Sequence, residues 1–388
     1  LIDQITFHHE NEYGSKPFVV TSAPGKIDLL GEHGEVSQGI VLSFAIDRRF
    51  YVAASHRTDN SLRFYSVNLK ERKKATIAGL KLKKEDRWAN YSKGVIDALI
   101  NMGFGIRGMN LTFLSEVPMG IGLASSSAFT VATACGVKEL LGLHLSDAQI
   151  VEAARYSESH FMGLREDIRS PMVSYHARSD YLARFSIRSL EMDFIPFPLY
   201  PAAMLITDSR VPGNMADEVK YEIDESCREC VQVLDPEDTG LMFEDLSRED
   251  LSSTIEGLSE RSRRVCLHII RENARINEFR KALQNQTHEI SGRILLRSHE
   301  SLRDLLEISC PELDWLVKRA VETDGVYGSR MVGSGYGGCT ITFLDERLKG
   351  GYEERLEEYD RIFGFKASVF QVKPSDGARI HLPNSGPE

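Results

Sequence analysis

Pro118 to Ala128 read PMGIGLASSSA, and the position of this stretch decides the fold. Before it lies MNLTFLSEV, an apolar run that predicts a strand; after it, AFTVATACGVKELLG carries a helical pattern. The stretch is therefore a loop feeding a helix. A helix start presents unpaired backbone N–H groups and the positive end of the dipole, so phosphate oxygens are well matched there. Gly120 and Gly122 allow close backbone approach, while Ser125, Ser126 and Ser127 add hydroxyls for phosphate or a magnesium ion. Taken alone, the same residues also describe a glycine-rich turn capped by serines.

Two familiar nucleotide loops are excluded by inspection. GxxxxGK[ST] is absent, and the third glycine of GxGxxG is Ser125 here. Working outward, residues 18–67 alternate short apolar runs with turn formers, predicting a strand-rich opening. WANYSKGVIDALINMG fits a helix ending at Gly103. A further helix is predicted from about Ser146 to Phe161, capped within SDAQ. The proline cluster in FIPFPLYP marks a change of organisation, and residues 214–322 read as mostly helical. A second glycine loop, MVGSGYGGCTITF, precedes a strand near the end.

At 388 residues the chain exceeds the roughly 250–300 at which one core stops growing, so two domains around a cleft are expected, 1–195 and 196–388. A formal charge of −10 argues against a nucleic-acid binder, and no apolar run approaches the ~20 residues of a membrane span. The opening LIDQITFHHENEYG lacks signal-peptide features, so a soluble cytoplasmic protein, working as a monomer on a small molecule, is the expectation. The six cysteines do not read as a disulfide framework and suggest reduced thiols. Cys227 and Cys230 have redox or metal spacing but no second pair, on a segment that reads as an amphipathic helix.

PMGIGLASSSA resembles the nucleotide loop of the GHMP kinases, which act on galactose, homoserine, mevalonate and phosphomevalonate. APGKIDLLGEH at 23–33 is similar to the first motif of that superfamily and GSRMVGSGYGGCTITF at 328–343 to the third. WANYSKGV, SLRFYSVN, RSHESLRDLLEISCPELD and DGVYGSRM are similar to the galactokinase branch in particular. The resemblance implies an α+β fold of two domains with the active site in the cleft between them, ATP and Mg²⁺ as cofactors, and transfer of the γ-phosphate to a hydroxyl of galactose or a related small sugar. It implies that Gly120, Gly122 and Ser126 contact phosphates or metal, that Glu158 is the acidic magnesium ligand, and that Ser66, Trp88 and Tyr91 correspond to the adenine pocket. Hard oxygen donors are what magnesium requires.

On the acceptor side Glu32, His33 and Tyr221 match sugar-contact positions of the family. Lys26 stands where galactokinases usually have arginine, Glu35 where they have aspartate, and Val36 where they have an aromatic. Alignment of FMGLREDIRSPMVS places Ser170 at the family's catalytic aspartate and Asp167 at a glycine. Serine is no base near neutral pH without help. Several related kinases lack this carboxylate and rely on positioning and a basic residue, Lys26 resembles the lysine of the mevalonate branch, and Asp167, if the segment is helical, shares a face with Ser170 and could take the proton. Three readings stay open: a sugar kinase close to galactokinase, a kinase for another sugar or polyol, and a paralogue that binds ATP or sugar as a sensor or scaffold.

Overall fold

The computed structural model describes residues 1–32, 39–164, 168–213, 215–235 and 255–381. Helix α1 (Ile2–Tyr13) leads into strands β1 (Val19–Leu30), β2 (Ile40–His56), β3 (Ser61–Ser66) and β4 (Glu71–Thr76). Then come α2 (Ala89–Asn101), β5 (Met109–Ser115), α3 (Ser125–Leu141), α4 (Asp147–Tyr156), α5 (Arg169–His176), β6 (Tyr181–Ser186) and β7 (Met192–Pro196). These strands form one sheet in the order β1-β2-β5-β3-β4, with β6 on β2 and β7 on β6. All its pairings are antiparallel except β3 with β5.

The sheet is closed over by α3. Its small residues Ala128, Ala132 and Ala134 are buried, so the helix sits close on β1 and β2, and Thr21 of β1 donates its hydroxyl to the Ala132 carbonyl at 2.7 Å. Burying the branched strand residues of β1 and β2 under that helix fixes where the preceding glycine loop emerges. The predicted strand, loop and helix are thus observed in that order.

The second sheet runs β11-β8-β10-β9, built from β8 (Ala202–Asp208), β9 (Val326–Val332), β10 (Cys339–Asp345) and β11 (Ser368–Val372), all antiparallel. Around it lie α6 (Asp217–Leu234), α7 (Glu260–Gln284), α8 (His288–Ser301), α9 (Pro311–Val321), α10 (Lys349–Arg355) and α11 (Glu357–Phe363). The chain then returns to the first sheet, where β12 (Arg379–His381) pairs with β1. Arg49, buried, holds that return by donating to the carbonyls of Asp376 (2.8 Å) and Gly377 (2.5 Å) and to Ser22 Oγ (2.9 Å). Among the described residues no helix is long and apolar enough to cross a membrane.

Three features differ from the sequence reading. Cys230 is not reduced but bonded to Cys266. The reading weighed Cys227, three positions away on the same helix, whereas packing of α6 on α7 brings Cys230 to a residue 36 positions distant and leaves Cys227 buried in a separate apolar cluster. The helix expected to reach Phe161 stops at Tyr156 and widens into a single π turn, Ser157–Phe161. Its start is as expected, a capping box in which Ser146 and Gln149 satisfy each other's backbone N–H. Finally, residues 2–13, read only for what they lack, form α1. His9 fixes it to the sheet, its ring nitrogens 2.9 Å from Thr112 Oγ1 and 2.9 Å from Ser55 Oγ.

Candidate active site

Helix α3 begins at Ser125 behind Ala124, an N-cap residue in the left-handed region (φ 50°) that brings no capping side chain to the first-turn amides. Those amides follow directly on the glycine loop in the chain. Gly122 has φ 89°, and a Cβ built on it would come within 2.8 Å of the Gly333 Cα. The second motif therefore packs backbone to backbone on the third, and no larger residue fits at either position. The first motif joins them: the Lys26 N–H donates to the Leu123 carbonyl at 3.1 Å.

The π turn supplies the acid. Glu158 is 1% exposed and accepts hydrogen bonds from Ser126 Oγ (2.7 Å), Ser127 Oγ (2.8 Å) and Thr130 Oγ1 (3.2 Å), all on α3. Widening the turn lets α2 come close: Ser157 donates to the Tyr91 carbonyl at 2.6 Å, and a Cβ at Gly94 would meet Ser157 Oγ at 2.5 Å. Single π turns recur at functional sites because they re-aim side chains within a helix. The hydroxyls of Ser126 and Ser127 and the Glu158 carboxylate form a set of hard oxygens beside a helix N-terminus, which fits a magnesium ion and phosphate. Ser125 and Ser126 are half-buried and Ser127 buried.

Of the residues expected around adenine, one touches this helix. Tyr91 packs on Phe129 of α3 (centroids 6.0 Å apart), and Trp88 stands edge-on to Phe113 (5.6 Å) while its indole N–H donates to Glu71 at 3.0 Å. Ser66 ends β3, buried, its hydroxyl accepting the Leu69 N–H at 3.3 Å.

Next to the loop is a cavity of about 190 Å³, lined by Gly122 and Ala124 from the phosphate side, Lys26, Asp28 and Glu32 from the first motif, and Arg169 and Ser170 from α5; the third motif and α6 complete it. Lys26 and Asp28 alternate on β1 and so share a face. Register shifts between Pro24 and Lys26 and between Asp28 and Leu30 bracket the pair, bulges of the kind that aim side chains into sites. Lys26 Nζ is ion-paired with Asp28 Oδ2, and Ser43, opposite Asp28 in the ladder, donates to Oδ1 at 2.5 Å. Burial would push the Asp28 carboxyl up, but Lys26, Arg169 and Ser43 outweigh it and hold it down at about 2.

Glu32 is a joint. Its Oε2 accepts from Arg330 Nη2 (2.7 Å) and its Oε1 from the Gly333 N–H (2.7 Å), tying the first motif to the third. Arg330 is fully buried and also donates to the Leu29 carbonyl (2.5 Å). Burial pushes the Glu32 carboxyl up to about 7 even against the pull of Arg330. Tyr221 lies half-exposed on α6, whereas its neighbours Lys220, Ile223 and Asp224 line the cavity. His33, Glu35 and Asp167 lie outside the described residues.

Of the residues singled out in the sequence, Lys26, Glu32, Gly122 and Ser170 line this one cavity, and Ser126 and Glu158 are hydrogen-bonded to each other at the adjoining helix start. Sequence reading missed Asp28, Arg169 and Arg330. Asp28 had a signal, the period-two spacing from Lys26 on a predicted strand. Arg330 sits within a quoted motif, yet its partner is 298 residues away.

Family models match residues 8–56 (galactokinase galactose-binding signature), 90–168 (GHMP kinases N terminal domain) and 279–358 (GHMP kinases C terminal). The galactokinase of Thermosipho africanus (strain TCF52B) is 34% identical over 357 residues, 92% of this chain and 97% of that one. The galactokinase of Roseiflexus sp. (strain RS-1) is 30% identical, with 98% and 97% covered. In fold, the chain superposes on the Lactococcus lactis galactokinase complexed with galactose with a TM-score of 0.89 at 24% identity, covering 97% of this chain and 99% of that one. The Methanococcus jannaschii mevalonate kinase gives 0.67 at 19% identity, with 94% and 100% covered. Motifs, site and relatives agree, and the chain belongs to the galactokinase family of the GHMP kinases.

Proposed function

We propose that this protein transfers the γ-phosphoryl group of ATP to galactose or a related small sugar, at the anomeric hydroxyl. The observation that carries this reading is the convergence of the three motifs on one cavity that opens directly beside the phosphate loop. A cavity of about 190 Å³ is below the roughly 300–1,000 Å³ of pockets for drug-sized ligands, and suits a single sugar ring.

In this mechanism the amides at the start of α3, with Gly120 and Gly122, cradle the phosphates, and Trp88, Tyr91 and Ser66 border the adenine. Ser126 and Glu158 would hold Mg²⁺, which when bound neutralises charge on the transferring phosphoryl group. Lys26 supplies a fixed positive charge in the cavity wall toward which phosphate charge develops. Ser170 contributes a hydroxyl for orienting the acceptor. Phosphoryl transfer draws mainly on positioning and charge neutralisation, so this arrangement supports catalysis without a carboxylate at position 170.

The test is ADP release by the purified chain with Mg-ATP against a panel of free hexoses, pentoses and polyols. Turnover with galactose or an isomer, at a rate well above ATP hydrolysis alone, is expected. ATP binding without turnover on any acceptor contradicts the proposal and favours a sensor.

A further inference from the structure

Asp28 belongs to no role assigned so far, yet it is the carboxylate that the cavity wall holds beside Lys26. It is 5% exposed, lies between the two bulges of β1, and lines the same cavity as Ser170 and the glycine loop. Its two hydrogen bonds fall one on each oxygen, from Lys26 and from Ser43, so each oxygen keeps a second lone-pair site for a substrate hydroxyl. Glu32, the neighbouring carboxylate of the first motif, already has both oxygens engaged by Arg330 and Gly333 across the joint.

We propose that Asp28, not the segment leading into α5, is the proton acceptor of the phosphoryl transfer. The proposal rests on the kinase reading above. As the sugar oxygen bonds to the γ-phosphorus, the bond from that phosphorus to the bridging oxygen breaks, the electron pair leaves with ADP, and the sugar O–H proton passes to a carboxylate oxygen of Asp28 and then to solvent. Sugar and ATP give sugar phosphate, ADP and one proton. Lys26, paired with the same carboxylate, places its positive charge where the sugar oxygen becomes negative. Its cationic neighbours keep Asp28 ionised, so it stands unprotonated beside the acceptor and gives the proton up to solvent once transfer is complete.

Asp28→Asn, Asp28→Ser and Asp167→Asn are compared with the wild-type chain in steady-state kinetics, with and without added formate. The expected result is a fall in kcat of about 10²–10⁴-fold with KM for sugar and for ATP little changed, and recovery of about tenfold when formate is supplied to Asp28→Ser. Formate can replace a missing base but not a missing structural contact. Retention of kcat within about threefold by a folded variant, absence of formate recovery, failure of both variants to fold, or loss confined to Asp167→Asn would each overturn the assignment. A wild-type chain inactive on every sugar would instead remove the kinase reading itself, and the base with it.

Discussion

Glu158 gathers three hydroxyls of one helix, and its carboxylate is the acidic side of the proposed metal site. Glu158→Lys should therefore lose Mg-ATP binding, and Glu158→Gln, which removes the charge but keeps the shape, should weaken it by about 10–100-fold. Titration calorimetry with and without magnesium reads this directly. Unchanged affinity would remove Glu158 from the site. At Gly122, Ala would meet the Gly333 Cα and adopt an unfavourable φ, so Gly122→Ala should cost about 2–4 kcal/mol of stability, seen as a lowered urea midpoint. At this scale the nucleotide side was legible because its residues fall within short linear motifs. Asp28 was not, because its role comes from strand register and two bulges, which place Ser43 opposite it and Lys26 beside it.

Helices and strands explain where those side chains point. The existence of α2, α3 and α4 and the capped start of α4 followed from caps and periodicity, but the start of α3 at Ser125 and the π turn after Tyr156 did not, since nothing in SESHF marks that turn and close approach of α2 at Gly94 accompanies it. Helix α1 went unread because its apolar contacts are few and its anchor is a histidine. Burial lowers that His9 imidazole to about 4 from its usual 6.5. The unfolded chain then binds the proton first, so stability present at pH 7 is lost as pH falls through 6.5 toward 4, by about 3 kcal/mol. Urea unfolding at pH 7 and pH 5 should show about 2 kcal/mol of that drop, and His9→Gln should flatten the His9 part of it. A drop unchanged by the substitution would assign it elsewhere.

Across the whole molecule, the two sheets are joined by charge as well as by apolar packing. Arg330 of β9 reaches Glu32 after β1 and stands 3.9 Å from Glu272 of α7, which in turn pairs with Arg275. Burial would raise the Glu272 carboxyl, but Arg275, His268 and Arg330 hold it at about 2. Removing this cation leaves the buried Glu32 carboxylate without its charge partner, while Glu272 keeps Arg275, so Arg330→Met should destabilise the chain by about 3–5 kcal/mol in chemical denaturation. Restoration by also changing Glu32 to Gln would identify the pair as the cause. The two-sheet fold and the meeting of the motifs were legible through the resemblance and its ordered stretches. The joint was not, because it depends on a contact spanning most of the chain, nor was the Cys230–Cys266 bond, which depends on how α6 packs on α7.

In the proposed function the three motifs build one site where ATP meets a sugar. Phosphorus NMR of a reaction containing the protein, Mg-ATP and galactose tests it most directly. Loss of the γ-phosphate resonance and growth of a sugar phosphate signal coupled to the anomeric proton are expected. Persistence of intact ATP with galactose and with every other sugar offered, by a protein that binds ATP, would contradict it.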